Sequence, residues 1–313
     1  MALMRSALLW ASRNRWLAQN FPRYRFAQAA VRRFMPGTTV DAALDAAAAA
    51  LPGNIGAIFT RLGENIQKME EATEVVDHYV DVLGRIAQRG VAAQISVKLT
   101  QLGLDISEDG TVCNLDRLAA RAAETNNVVW VDMEDSSYVD RTLAVFNAVL
   151  ERHRNLGLCV QSYLYRTEKD LDSLLQRTVA IRLVKGAYNE PAAVAFPRKA
   201  DVDQNYFRLG RMMLEAAKHV TDTARPVFGT HDIALLDRLL ATASPNGKGP
   251  GHSDCEIHML YGIGVSDQLR LANGGQQVRV LISYGEEWFP WYVRRLAERP
   301  ANVWFVVRNM VAS

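Results

Sequence analysis

Arg294 and Arg295 stand side by side in the segment YGEEWFPWYVRRLAER, with Glu298 four residues after the first and three after the second. On one helix that spacing brings the carboxylate within reach of both guanidiniums. Two adjacent guanidiniums repel each other, so a fold that orders them gives them a carboxylate to lean on or an anion to hold. Planar guanidiniums take carboxylates bidentately. Spacing alone favours a solvated ion-pair helix, and the rest of the chain has to decide. Upstream, Lys98 and Lys185 follow short apolar runs, Arg182 falls within one, and Asp132 and Glu134 lie two apart in VDMED. While the chain is extended those two carboxylates point the same way. Paired carboxylates suggest acid–base work, but neutralising Lys98 or Arg182 is the simpler role. Each lysine has three readings: a Schiff-base nucleophile, an anion ligand or a solvated strand end.

The elements that must position these groups recur along the chain. Apolar runs at 56–62, 94–99, 128–133, 158–163, 180–184, 226–229, 255–260 and 278–283 alternate with helix-period segments at 70–88, 115–124, 138–152, 168–176, 201–220, 233–241 and 266–272. Strands buried on both faces read as continuous apolar runs. The alternation predicts an α/β fold, a distorted (β/α)8 TIM-type barrel over 54–313, rather than an open sheet. Residues 1–53 form an N-terminal helical arm whose helix at 40–51 is ended by Pro52 and Gly53. A barrel carries its chemistry at the C-terminal ends of its strands. Those ends hold Glu64, Lys98, Asp132, Met133, Gln161, Arg182, Lys185, Thr230, His231 and Leu260. Stability alone would ask for Val, Ile and Leu, so the density of charge there predicts a ligand site. Gly186 lets a backbone or ligand approach closely. Thr230 and His231 precede a helix whose first turn offers N–H groups to a phosphate, and His231 reads equally as a cap or a hydrogen-bonded ring.

Composition removes other classes. The chain has 313 residues, 49% of them hydrophobic, and its net charge of +2 is spread over 36 basic and 34 acidic residues, which gives no reason to expect nucleic acid. Cys113, Cys159 and Cys255 are odd in number and far apart, as in a reduced, intracellular protein. No run approaches the roughly 20 apolar residues of a membrane helix. Residues 1–40 carry Arg5, Arg13, Arg15, Arg23, Arg25, Arg32 and Arg33 and no acidic residue. Such a start suits an arm packed on the domain, with a transit peptide or a membrane-surface helix as the alternatives. His252, Asp254, Cys255, Glu256 and His258 have the composition of a metal cluster, but they are split between a loop and alternate positions of a strand, and no metal site is expected. Gly262 and Gly264 begin a dinucleotide fingerprint that fails at Asp267.

The motifs SVKLTQLGLDIS, VDMEDS, IRLVKGAYNEPAAVAFPRKADVDQNY, GTHD, EIHMLYGI and YVRRLAERPAN resemble, in order, those of the bacterial one-domain proline dehydrogenases, from about residue 58 to residue 309. The resemblance implies non-covalent FAD across the C-terminal face, with the last helix folded over it. It implies oxidation of L-proline to Δ1-pyrroline-5-carboxylate, with hydride passing to the flavin and electrons then to a quinone. It further implies that Lys98, Arg294 and Arg295 clamp the substrate carboxylate, that Glu298 braces the arginines, and that Leu260 walls the ring. Asp132 matches the family's active-site aspartate and Arg182 its arginine beside flavin N5; Met133, Gln161, Lys185, Gly186, Ala187, Thr230 and His231 match flavin contacts. A cytoplasmic enzyme is expected, with peripheral membrane contact through the arm as the alternative.

Rival readings are a Schiff-base aldolase on Lys98 or Lys185 and a carboxylate-binding barrel without turnover. One departure stands out: where the family is expected to carry tyrosines before and within the last helix, this chain has Leu281 and Trp291, with Ser283 replacing a proline. Loss of two hydroxyls and enlargement of one ring predict a reshaped pocket and a preference for a substituted ring such as hydroxyproline. Steady-state kcat/KM values for L-proline and substituted prolines check this; a clear preference for plain L-proline would refute it.

Overall fold

Runs that are apolar on both faces are buried only in a sheet covered by helices, and in the computed structural model they close into a barrel. The structure describes residues 31, 34–50, 53–63, 66–177, 179–217, 225–243, 255–289 and 292–293. The strands are β1 (Ile55–Arg61), β2 (Ala93–Lys98), β3 (Val129–Asp132), β4 (Leu156–Gln161), β5 (Ala180–Val184), β6 (Pro226–Gly229), β7 (Glu256–Leu260) and β8 (Gln277–Tyr284). Each pairs in parallel with the next, and β1 pairs with β8 along Ile55 to Arg61 to close the ring. The helices are α1 (Val40–Ala50), α2 (Met69–Arg89), α3 (Glu108–Glu124), α4 (Val139–Leu150), α5 (Thr167–Leu175), α6 (Lys199–Ala217), α7 (Ile233–Ala243) and α8 (Val265–Asn273). The predicted (β/α)8 architecture is therefore present. No helix among the described residues is long and apolar enough to cross a membrane.

Two boundaries differ from expectation for physical reasons. Helix α3 starts at Glu108 rather than 115, because the Ser107 hydroxyl accepts from Gly110 N at 3.1 Å and caps a polar first turn that carries no apolar period. Strand β4 runs over Leu156–Gln161 instead of 158–163, since β5 ends at Val184, the register partner of Gln161, and offers Ser162 and Tyr163 no further strand to pair with.

Alternation along the strands divides the core in two. Outward residues such as Ile95, Val97, Val129, Val131 and Leu183 join Val76, Leu83, Leu115 and Leu118 of the helices in one large buried cluster, to which α1 adds Val40, Ala43, Leu44 and Ala47. A smaller cluster of Ile58, Trp130 and Val227, with Leu281 against it, comes from β1, β3, β6 and β8. Residues on strands so far apart meet only across the barrel lumen. Helix α2 is tied to the sheet by Tyr79, whose buried hydroxyl accepts from Arg61 N at 2.8 Å and donates to Ser96 O at 3.2 Å.

Trp130 needs room that its register partner Gly157 provides: a Cβ at that position would lie 2.5 Å from the indole. Gly157→Ala is expected to lower stability by about 1–3 kcal/mol through overpacking, read as a shifted urea midpoint; an unchanged midpoint would show that the indole relocates freely.

Candidate active site

Strands β2 and β3 end level with each other, so Lys98 and Asp132 are register partners at the C-terminal mouth of the barrel. Arg182 was expected at a strand end but sits in the middle of β5, within the lumen, where its side chain is 5% exposed. It reaches up to Asp132, whose carboxylate accepts from its Nη2. Nη2 also donates to Ser96 Oγ at 2.9 Å, the guanidinium lies 4.9 Å from the centre of the Trp130 ring, and Nη1 is 3.4 Å from His258 Nδ1. Burial opposes the charge, but Asp132 and Cys159 outweigh it and raise the guanidinium's proton affinity. Breaking such a pair by removing one partner costs roughly 3–5 kcal/mol, so Asp132 has a structural demand on it before any chemistry.

The two carboxylates of VDMED part company. Glu134 turns back to the 3-10 turn that follows β2 (Leu99–Leu102) and accepts from Thr100 N at 3.2 Å and Thr100 Oγ1 at 2.9 Å. Burial raises its pKa, while the Lys98 charge and the Thr100 hydrogen bonds pull it down. Neutralisation, the simpler of the two sequence readings, is what Asp132 does for Arg182.

The remaining strand ends carry polar groups with defined partners. Gln161, at the end of β4, donates from Nε2 to Met133 O at 3.2 Å, and its buried Oε1 has no hydrogen-bond partner among the described residues. Lys185 donates to Asp203 at 2.5 Å and to Asp232 at 2.6 Å. Lys199 lies against the same two carboxylates, 3.7 Å from Asp232, so Lys185 belongs to an ion-pair network of two ammonium and two carboxylate groups. Gly186 has φ +107°, and a Cβ there would lie 2.3–2.5 Å from the Tyr163 ring. The close approach is thus made by the protein's own aromatic, which the sequence could not reveal. Ala187 follows, exposed. Thr230 Oγ1 accepts from Asp232 N at 3.0 Å, and Asp232 Oδ1 accepts from Leu235 N at 3.3 Å, so Asp232 caps α7. His231 Nε2 accepts from Leu260 N at 2.9 Å, which makes it the hydrogen-bonded ring, stitching β6 to β7. Leu260 pairs in register with Leu281, which packs on Ile58, Trp130 and Val227. Glu64, Trp291, Arg294, Arg295, Glu298 and the arm at 1–30 lie outside the described residues.

Sequence reading missed Ser96, Trp130, Glu256 and His258 as parts of this constellation. Their signal was present as inward positions that alternate with outward Ile and Val. Glu256 and His258 had been considered only as metal ligands; on β7 they serve arginines. Glu256 accepts from His258 Nε2 at 2.6 Å, Arg279 Nε at 2.7 Å and Arg225 Nη1 at 3.0 Å. Burial pushes this carboxyl up, but His258 and the two arginines outweigh it and hold it at about 2.

Two histidines are held neutral. Burial and the Arg182 and Arg279 charges lower His258 to about 4, against the pull of Glu256. Burial, with Arg61 and Arg85, lowers His78 on α2 to about 4, against Asp81. Unfolded, both titrate near 6.5, so below that pH the unfolded chain binds more protons and gains on the fold. Stability is expected to fall by on the order of 3 kcal/mol between about pH 7 and about pH 4.5. Urea melts across that range check it, and a flat profile would contradict it.

A family model described as proline dehydrogenase matches residues 43–308. The chain is similar to proline dehydrogenase 2 of Bacillus subtilis (strain 168), with 37% identity over 249 residues covering 80% of each chain. It is 32% identical to proline dehydrogenase 1 of the same strain over 312 residues, 99% of each, and 37% identical to the proline dehydrogenase of Deinococcus radiodurans over 284 residues, 89% of each. Among solved structures, proline utilization A (PutA) from Bdellovibrio bacteriovorus, inactivated by N-propargylglycine, superposes with a TM-score of 0.78 at 23% identity. That likeness covers 87% of this chain and 33% of the other, so this chain spans about a third of the PutA length, and it speaks for the fold. By a match over most of its length, carried through the motifs that build the barrel mouth, the chain belongs to the proline dehydrogenase family.

Proposed function

We propose that the protein oxidises L-proline to Δ1-pyrroline-5-carboxylate with a non-covalent FAD at the barrel mouth, hydride passing to flavin N5 and electrons then to a quinone. Family membership makes it an oxidoreductase that acts on proline in proline catabolism. The observation that carries the finer reading is the buried Arg182–Asp132 pair at the mouth, with Lys98 level with it on the neighbouring strand. The residues present suit a flavin. Gln161 Oε1 is a buried acceptor still without a donor among the described residues, as a ring with an imide N–H would supply. Lys185 follows β5, and Thr230 and His231 follow β6, which gives a pyrophosphate one ammonium and the Thr230 hydroxyl beside the start of α7. We assign Met133, Gln161, Lys185, Gly186, Ala187, Thr230 and His231 to the cofactor, and Lys98, Leu260, Leu281, Trp291, Arg294, Arg295 and Glu298 to the substrate.

When bound, FAD supplies the two-electron acceptor. Lys98, together with Arg294 and Arg295, binds the single carboxylate of proline and holds the ring in one pose. The amine must lose its proton before hydride leaves the adjacent ring carbon, and a dry, cation-lined site favours the neutral amine. Loss of that hydride forms the C=N bond as a protonated iminium, and release of its N–H proton to solvent gives Δ1-pyrroline-5-carboxylate. Arg182 stabilises the negative charge that accumulates at the mouth, and Asp132 orients it. We take 54–313 as the catalytic barrel and 1–53 as an arm of a cytoplasmic protein, its arginines able to meet an anionic membrane surface.

The purified protein is expected to be yellow and to bleach on anaerobic addition of L-proline. Arg182→Met is expected to lower kcat by roughly 10²–10³-fold, the cost of removing one preorganised electrostatic donor. A colourless protein without proline-dependent dye reduction would refute the proposal, and borohydride trapping of a substrate on Lys98 would replace it with an aldolase.

A further inference from the structure

Below the Asp132–Arg182 pair, a chain of hydrogen bonds crosses the barrel interior. A guanidinium has donors only, so Arg182 Nη1, at 3.4 Å, donates to His258 Nδ1. The acceptor role at Nδ1 leaves the imidazole proton on Nε2, and that atom donates to Glu256 Oε1 at 2.6 Å. Glu256 is held from the other side by Arg279 and Arg225. Every bond in the chain follows from the first, because arginine cannot accept. The His258 and Glu256 side chains are 4% and 3% exposed, so water does not compete for these bonds. Trp130 packs edge-on against the imidazole, with ring centres 5.2 Å apart, and is itself anchored by donation from Nε1 to Gln94 Oε1 at 2.7 Å.

The charged and titratable groups around the imidazole come from several strands: Arg182 on β5, with Asp132 of β3 and the neutral Cys159 thiol of β4 beyond it, Glu256 on its own strand, and Arg279 on β8. Protonation of Nδ1 would turn the acceptor into a donor aimed at a guanidinium and place two cations in contact. The lowered pKa of His258 agrees with a ring that stays neutral.

We propose that His258 and Glu256 are positioning residues for the redox step: the neutral imidazole holds Arg182 from below while Asp132 holds it from above, and Glu256 fixes the imidazole's tautomer. The inference rests on the reading that Arg182 acts on a bound flavin. Asp132 and Ser96 both engage Nη2, so neither fixes the position of Nη1. A second acceptor on the other terminal nitrogen fixes its plane, so its charge stays where the cofactor is reduced.

The test compares His258→Gln, which keeps one acceptor and one donor, with His258→Leu, which keeps bulk and loses both. The Leu variant is expected to favour reduced flavin about tenfold less, a fall of about 30 mV in the two-electron midpoint potential, with a lower kcat and unchanged KM for L-proline. The Gln variant is expected to restore the potential. Nitrogen-15 spectra of the unmodified holoenzyme provide a readout that needs no variant: His258 should show an unprotonated Nδ1 and a protonated Nε2 from about pH 5.5 to 8, the span in which an ordinary imidazole titrates. A proton on Nδ1, an unchanged potential in the Leu variant, or a Gln variant as impaired as Leu would overturn the proposal. If the Leu variant does not fold, the spectra and the Gln variant decide. A protein that shows the Nε2–H ring but does not bleach with L-proline would refute the proposed function and leave the brace on Arg182 standing.

Discussion

A guanidinium buried in the lumen is the constraint on which the interior depends. Barrels of this kind are usually filled by layers of branched aliphatic side chains; here Ile58, Val227 and Leu281 fill only part of the lumen beside Trp130. The remainder is polar because Arg182 is there. Taking such an ion out of water costs several kcal/mol unless its donors are met. Asp132, Ser96 and His258 meet them from three other strands, and the Trp130 ring covers the face. His258 in turn requires Glu256, and Glu256 requires Arg279 and Arg225. One buried cation thereby specifies side chains on strands all around the barrel.

The mouth is made rigid by similar means. Glu190, beyond β5, accepts from Ser136 N and Oγ at 2.7 and 2.6 Å and ties the loop after β5 to the loop after β3. Lys185 joins α6 to the cap of α7 through Asp203 and Asp232, and His231 joins the ends of β6 and β7. These contacts hold polar groups in place before any ligand arrives. Preorganised charge is worth more to a reaction than charge that must be gathered during it. It also explains why Asp132 and Glu134, two apart in sequence, make a poor acid–base pair: each already has a partner to satisfy.

The sequence by itself determined the architecture and showed that polar side chains gather at the ends of the strands. Eight apolar runs separated by amphipathic helices can bury both strand faces only as a parallel sheet inside a helical layer, so β1 to β8 were legible to within a few residues. Lys98, Asp132, Gln161 and Lys185 were identifiable because a charged or amide side chain stands out at the end of an apolar strand. What only the tertiary structure decided was the partner of each group. Arg182 and His258 are 76 residues apart, and Arg182 and Ser96 are 86 apart. No local period links them, because they meet across a lumen that exists only once the sheet has closed. Arg182 consequently changed from a strand-end residue to a buried one, Gly186 proved to make room for Tyr163, and His258 changed from a discarded metal ligand to a hydrogen-bond partner of Arg182. Spacing along the chain reports what is exposed or buried on one element; the partner of a buried charge depends on which strands face it.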